Sequence, residues 1–249
     1  MLKKCLFTIL FGVTLFAQSG LEVAEKSYDM LSGYKSSVSE VTMVLKNSSG
    51  DENIRKLQID KLEGSDGDKS LITFLFPLDL KGTKLLSYEI IGKDDKQWLY
   101  LPSLKRVKRI SSRNRSGSFM GSEFSYEDIS SQNYKNYTYE ADVKDVEMGG
   151  KRYLKVVRIP KDKTSGYSKQ IIFIDPKSYL AKFGKYYDKR GRLLKKVSFL
   201  EYVKIDGVYR IKKIYMQNLQ NRKSTILIWD KDRINAGLKT RDFSKRALK

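Results

Sequence analysis

Turn-forming residues divide this chain into about a dozen short strand-like runs, and that spacing constrains its fold more than any other feature. "VSEVTMVLK", "NIRKLQIDKLE", "SLITFLF", "TKLLSYEII" and "KQWLYLP" come first. "YTYEADVKDVEM", "KRYLKVVRIP", "KQIIFIDP", "LAKFGKYYDK", "LLKKVSFLEYVKI", "VYRIKKIYMQNL" and "STILIWDK" follow. Ser49-Gly50-Asp51, Gly64 to Gly67, Gly149-Gly150, Asp188 to Gly191 and Asp206-Gly207 separate them. Asp-Gly and Gly-Gly between apolar runs favour the left-handed conformations of tight hairpins. Strands in hairpin order predict one large, strongly curved antiparallel sheet or a barrel. No helical pattern of crossover length falls between strands, which disfavours a parallel α/β sheet. In "YTYEADV", Tyr137, Tyr139, Ala141 and Val143 share one face, as in a sheet wrapping a core or a cavity. Alternation does not distinguish those two interiors.

The N-terminus reads differently. "MLKK" is a short positive segment, "CLFTILFGVTLFA" an apolar one too short to span a bilayer comfortably, and "AQS" supplies small residues before Gly20. This pattern predicts a signal peptide over 1–19, cut after Ala17 or Ser19, and a single domain over 20–249. "LEVAEKSYDMLSGY" then places Leu21, Ala24, Tyr28 and Leu31 on one helical face. The sole cysteine, Cys5, lies in the leader, and the chain has no histidine. An exported domain without cysteine must rely on its core rather than on disulfides. The same deficits exclude Ser-His and Cys-His catalysis and the usual zinc sites. Asp94-Asp95, Glu127-Asp128 and Asp230/Asp232 lie near predicted turns and strand ends, where solvated acids are usual. No catalytic residue, metal site or cofactor is assigned, and the chain is not read as an enzyme.

Lys and Arg number 49 against 29 Asp and Glu, a net charge of +20. Such a balance favours anionic partners. Export directs it toward anionic lipid headgroups rather than nucleic acid. The cations concentrate at Lys105, Arg106, Lys108, Arg109, Arg113 and Arg115, a candidate contact for headgroups or an acidic partner. A charged sheet edge, guarded against aggregation, accounts for the same run. Trp98 and Tyr100 share one side of the preceding strand, and Leu99 and Leu101 share the other.

"FLFPLDLKGTKLLSYE" (74–89), "DKQWLYLPSLKRVKRI" (95–110) and "FMGSEFSYEDI" (119–129) occur in an order that resembles the outer-membrane lipoprotein-sorting proteins with a LolA-like domain. The closer likeness is to a branch bearing the pattern "YLP…KRVRRI…GSDFSYEDL". The ending "RINAGLKTRDFSKRALK" also resembles that branch, with Leu238, Phe243 and Leu248 as candidate anchors. The resemblance implies a mainly β fold: an incomplete barrel, with an N-terminal helix and short helical segments over its open side. It implies a periplasmic carrier of lipid acyl chains or lipoproteins. An inner-membrane transporter or an outer-membrane acceptor would be its further partner. Trp98, Tyr100, Leu101, Phe119, Met120, Phe124 and Tyr126 are the expected lipid-binding or lid residues. The alternative is an envelope interaction module that docks on a membrane transporter through its basic surface without carrying lipid.

Overall fold

The computed structural model describes residues 18–130 and 132–249. The leader expected over 1–19 lies, as far as residue 17, outside the described residues. Helix α1 (Gly20–Asp29) begins at Ser19, whose hydroxyl accepts from the Glu22 N–H while the Glu22 carboxylate accepts from the Ser19 N–H. This reciprocal cap satisfies two donors that a helix start leaves free.

Among the described residues, fourteen strands follow. The first six are β1 (Ser36–Lys46), β2 (Glu52–Leu62), β3 (Lys69–Phe76), β4 (Lys84–Tyr88), β5 (Lys96–Leu101) and β6 (Arg106–Ile110). A crossing segment, residues 111–136, carries the short helix α2 (Tyr126–Ile129). Then come β7 (Tyr137–Tyr139), β8 (Lys144–Met148), β9 (Lys151–Pro160), β10 (Tyr167–Ile174), β11 (Ala181–Asp188), β12 (Leu193–Ile205), β13 (Val208–Asn218) and β14 (Ser224–Ile234). The predicted hairpins form where expected. Asp206 and Gly207 both take positive φ, 46° and 86°, between β12 and β13, and Gly149 and Gly150 do the same between β8 and β9.

All pairings are antiparallel, in the order β6-β5-β4-β3-β2-β1-β14-β13-β12-β11-β10-β9-β7, with β8 also on β9. The first and last strands therefore pair in the middle, and the sheet is not closed into a barrel. It is nonetheless strongly curved. Ile72 on β3 and Val156 on β9 sit eight places apart in the strand order, yet they face one cavity. A flat sheet would hold them about 38 Å apart at about 4.8 Å per strand.

Alternation sorts the apolar side chains onto two faces. Val41, Met43, Leu57, Ile72, Phe74, Leu85, Leu99, Ile172, Val197, Met216 and Leu227 point inward with Val23 of α1 and form the main core. Leu71, Leu86 and Trp98 point outward and are covered by the C-terminal tail, which folds as two short 3-10 turns. Phe243 and Leu248 of that tail are fully buried. Lys84 Nζ donates to the Ala247 carbonyl at 2.6 Å, and the Tyr88 hydroxyl donates to the Phe243 carbonyl. The tail is thus a strap that shields one wing of the sheet.

Because the strap is held by two apolar anchors, Phe243→Ala is expected to lower unfolding stability by about 3–5 kcal/mol and Leu248→Ala by about 2–5 kcal/mol. Denaturant titration checks both. Losses typical of surface substitutions, within about 0.5 kcal/mol, would mean that the strap does not belong to the folded core.

Candidate functional site

The inward face encloses a cavity of about 370 Å³. Most of its wall is aliphatic or aromatic: Ile59, Ile172, Val197, Ile214, Leu227 and Trp229 come from five different strands. α1, with Ala24, Ser27 and Tyr28, and Leu31 in the turn after it roof the cavity. The polar part of the wall is largely paired. Lys61 meets Asp68 at 2.9 Å, and Arg210 meets Asp232 at 2.7 Å and lies 4.1 Å over the Tyr34 ring. Arg158 donates to Gln170 at 2.7 Å and to Gln132 at 2.9 Å. Burial, reinforced by Asp68, pushes the Tyr28 hydroxyl pKa up to about 12, and burial also raises that of Glu89.

The crossing segment runs from one edge strand, β6, to the other, β7. It bridges the side on which the sheet fails to close. Phe119 is fully buried, with its ring 5.8 Å from Phe74 and 5.5 Å from Tyr126. Polar contacts tie the segment to both wings. On the β1–β6 wing, Arg55 donates to the Met120 carbonyl and Gln97 Nε2 to the Tyr126 carbonyl at 3.0 Å. On the other wing, Asp128 accepts from Lys195 Nζ at 3.0 Å and from the Tyr167 hydroxyl at 2.8 Å. Glu127 accepts from the Gly166 N–H at 2.9 Å, and Glu123 from Asn218 at 2.8 Å. Arg115 reaches both sides at once, 2.8 Å from Asp95 and 3.2 Å from Asp162. A Cβ on Gly166 would come within 2.8 Å of Ser116 Cβ, so this crossing needs a residue without a side chain.

The residues singled out from the sequence separate into three places. Phe124 lines the cavity. Phe119, Met120, Tyr126 and Leu101 pack in the surrounding inner core. Trp98 and Tyr100 lie on the outer face beneath the strap, outside the cavity, with Lys245 Nζ 4.7 Å over the Trp98 ring. Among the cations, Lys105, Arg106, Lys108, Arg109 and Arg113 are exposed on and beside edge strand β6. Arg115 is buried in its two ion pairs and is removed from any solvent-facing contact.

The acids read as solvated need correction. Asp95, with its side chain 6% exposed, and Asp128, at 5%, are interior, and Glu127 is only partly exposed. Their partners come from distant segments, which turn chemistry alone does not reveal. Arg158, Arg210 and Trp229, all on the cavity wall, were also missed. Each sits in an ordinary strand pattern with no local mark.

A family model whose description reads "-like: Uncharacterized protein" matches residues 66–249. No curated protein matches. Among solved structures, one from Vibrio parahaemolyticus, described as an outer membrane lipoprotein-sorting protein domain, shares 41% identity at a TM-score of 0.88. That match covers 92% of this chain and 97% of that one. A DUF1329 family protein from Desulfovibrio piger shares 29% identity at a TM-score of 0.86, covering 92% and 98%. A LolA superfamily protein from Nitrosomonas europaea shares 18% identity at a TM-score of 0.76, covering 93% and 100%, a likeness of fold.

Asp128→Asn would leave Lys195 buried without its counter-charge. The expected cost is about 3–5 kcal/mol in unfolding stability. A loss of only a few tenths in denaturant titration would show that the pair does not hold the segment.

Glu127 offers a pH test. Burial, followed by the neighbouring Asp128 charge, raises its native pKa. A raised native value gives stability that is present below the unfolded pKa, about 4.3, and lost as pH rises through the native one. Glu127→Gln keeps an acceptor for the Gly166 N–H. It is expected to raise Tm at pH 8 and to leave it nearly unchanged below pH 4. An equal shift at both pH values would contradict this.

Proposed function

The chain belongs to the family of outer-membrane lipoprotein-sorting domain proteins, and from that premise we propose that it is a periplasmic carrier that shelters an acyl chain in the cavity beneath α1. The cavity wall carries this reading: aliphatic and aromatic side chains from both wings of an unclosed sheet converge on one continuous space. A volume of about 370 Å³ falls within the usual range for small-molecule sites. It is roughly two and a half times the apolar cavity of about 150 Å³ that admits benzene, so it suits a single chain of about fifteen carbons. Each methylene sheltered there contributes about 0.8 kcal/mol, which gives useful affinity with few polar contacts. This is the chemistry of a binding protein, and no catalytic step is assigned to it.

Export by the leader places the carrier between two membranes. A cut after Ala17 keeps Ser19 as the N-cap of α1, whereas a cut after Ser19 would remove it. The exposed cations on β6 supply attraction to an anionic leaflet or an acidic acceptor, a contact weakened by salt.

Two measurements test the proposal. Lipid extracted from the protein purified from the periplasm is expected to contain single-chain or acylated species in near-stoichiometric amount by mass spectrometry. Ala24→Trp, which fills the cavity from the helix side, is expected to abolish uptake of a fluorescent fatty acid while leaving the circular dichroism unchanged. An unliganded protein that takes up no acyl chain, or a variant that takes it up as well as the parent, would overturn the reading.

A further inference from the structure

Pairing between β13 and β14 stops halfway. Lys213 to Gln217 pair with Ile228 to Ser224, yet β13 continues to Val208 and β14 to Ile234. Beyond that point the two strands keep other partners: β13 stays with β12, and β14 stays with β1.

The cause is a line of bulges at one level of the sheet. Leu200 on β12, Lys212 on β13 and Asp230 on β14 are each the extra residue at a register shift. A bulge bends its strand and increases local twist, so three adjacent ones part the sheet along their line. Side chains and the helix terminus take over the backbone groups left there. Lys212 Nζ donates to the Trp229 carbonyl and to the Asp230 carbonyl at 3.3 Å. The Tyr209 N–H donates to Met30 at the end of α1, 3.2 Å away.

The split borders the cavity and is bridged by side chains, Arg210 on β13 meeting Asp232 on β14 at 2.7 Å. Tyr209, Arg210 and Ile211 on one lip and Trp229 on the other all line the cavity. Trp229 is half-buried and so reaches from the interior toward solvent. On the neighbouring strand β12, Leu200 is 56% exposed and Val203 39%, and the exposed Lys204, paired with Tyr209, lies 5.2 Å from the Tyr209 ring centroid. An apolar interior, an aromatic lip and cations just outside form the gradient that an anionic amphiphile follows.

We infer that the β13–β14 split is the portal of the cavity, taking a single-chain amphiphile with an anionic head. Its head stops at Lys212 and Lys204, and its tail runs inward past Trp229 and Ile211. This rests on the carrier reading above. It adds the place of entry, the orientation of the ligand and the charge of its head.

The test uses hexadecanoate brominated either beside its carboxylate or at its chain end, with Trp229 as the reporter. Trp98 lies under the strap outside the cavity, and Trp98→Phe isolates the Trp229 signal. The expected result is a larger loss of Trp229 fluorescence with bromine beside the carboxylate. Equal quenching, or stronger quenching by the chain-end bromine, would overturn the portal while leaving acyl binding intact. Uptake of neither probe would instead defeat the carrier reading, and the portal with it. Lys212→Gln keeps a donor for the two carbonyls but removes the charge. It is expected to weaken hexadecanoate binding about tenfold, or 1.4 kcal/mol, without weakening hexadecanol. Equal weakening of both ligands would contradict the head contact.

Discussion

Pairing of β1 with β14 decides where every other part of this molecule lies. It joins two meanders, one running outward from β1 to β6 and the other from β14 back to β7. The ends that remain, β6 and β9 with its short partners, belong to different meanders and do not meet. An unpaired edge invites association with other chains, and this fold answers with charge on one edge and short strands on the other. β6 carries Arg106, Lys108 and Arg109, and β7 has only three residues. The chain must also travel from one edge to the other, so residues 111–136 cross the gap.

That crossing explains the polar cluster it carries. A segment that traverses an interior cannot pair its backbone in a ladder, so side chains must satisfy it. Asp128, Lys195 and Tyr167 form a buried group in which each polar end has a partner. A buried ion pair is weak evidence for stability, because desolvation offsets most of the attraction. Its consequence here is positional. Phe119 and Phe124 enter the interior only if α2 is held against both wings.

Curvature and bulges set the character of the interior. A sheet that wraps without closing brings side chains from distant strands together, yet leaves room among them. The bulges at Leu200, Lys212 and Asp230 bend the strands along one line, where the pairing of β13 with β14 ends at the cavity wall. The wall's cations illustrate the same balance. Arg158 and Arg210 are half-buried, and each stacks on a tyrosine ring while bonding a neighbour. Charge is thereby kept from the apolar part of the space.

The strands, the hairpins and the N-terminal helix were legible in the sequence because each is dictated locally. Alternation marks a strand, Asp206-Gly207 or Gly149-Gly150 marks a turn, and a three-to-four spacing marks α1. Three quoted words between residues 74 and 129 also pointed to the family. The sites were less legible. Alternation shows that Trp98 and Tyr100 share a side opposite Leu99 and Leu101, but it does not tell which side faces the interior. Phe243 and Leu248, more than a hundred residues later, decide that by covering Trp98. Asp128 looked like an ordinary turn acid because Tyr167 and Lys195 lie 39 and 67 residues away. The sequence by itself determined a long antiparallel sheet without histidine and with its one cysteine at position 5, ahead of the sheet. Only the tertiary structure decided which face became the cavity, which cations stayed in water and where the sheet parts, because those outcomes depend on curvature and on contacts between segments far apart in the chain.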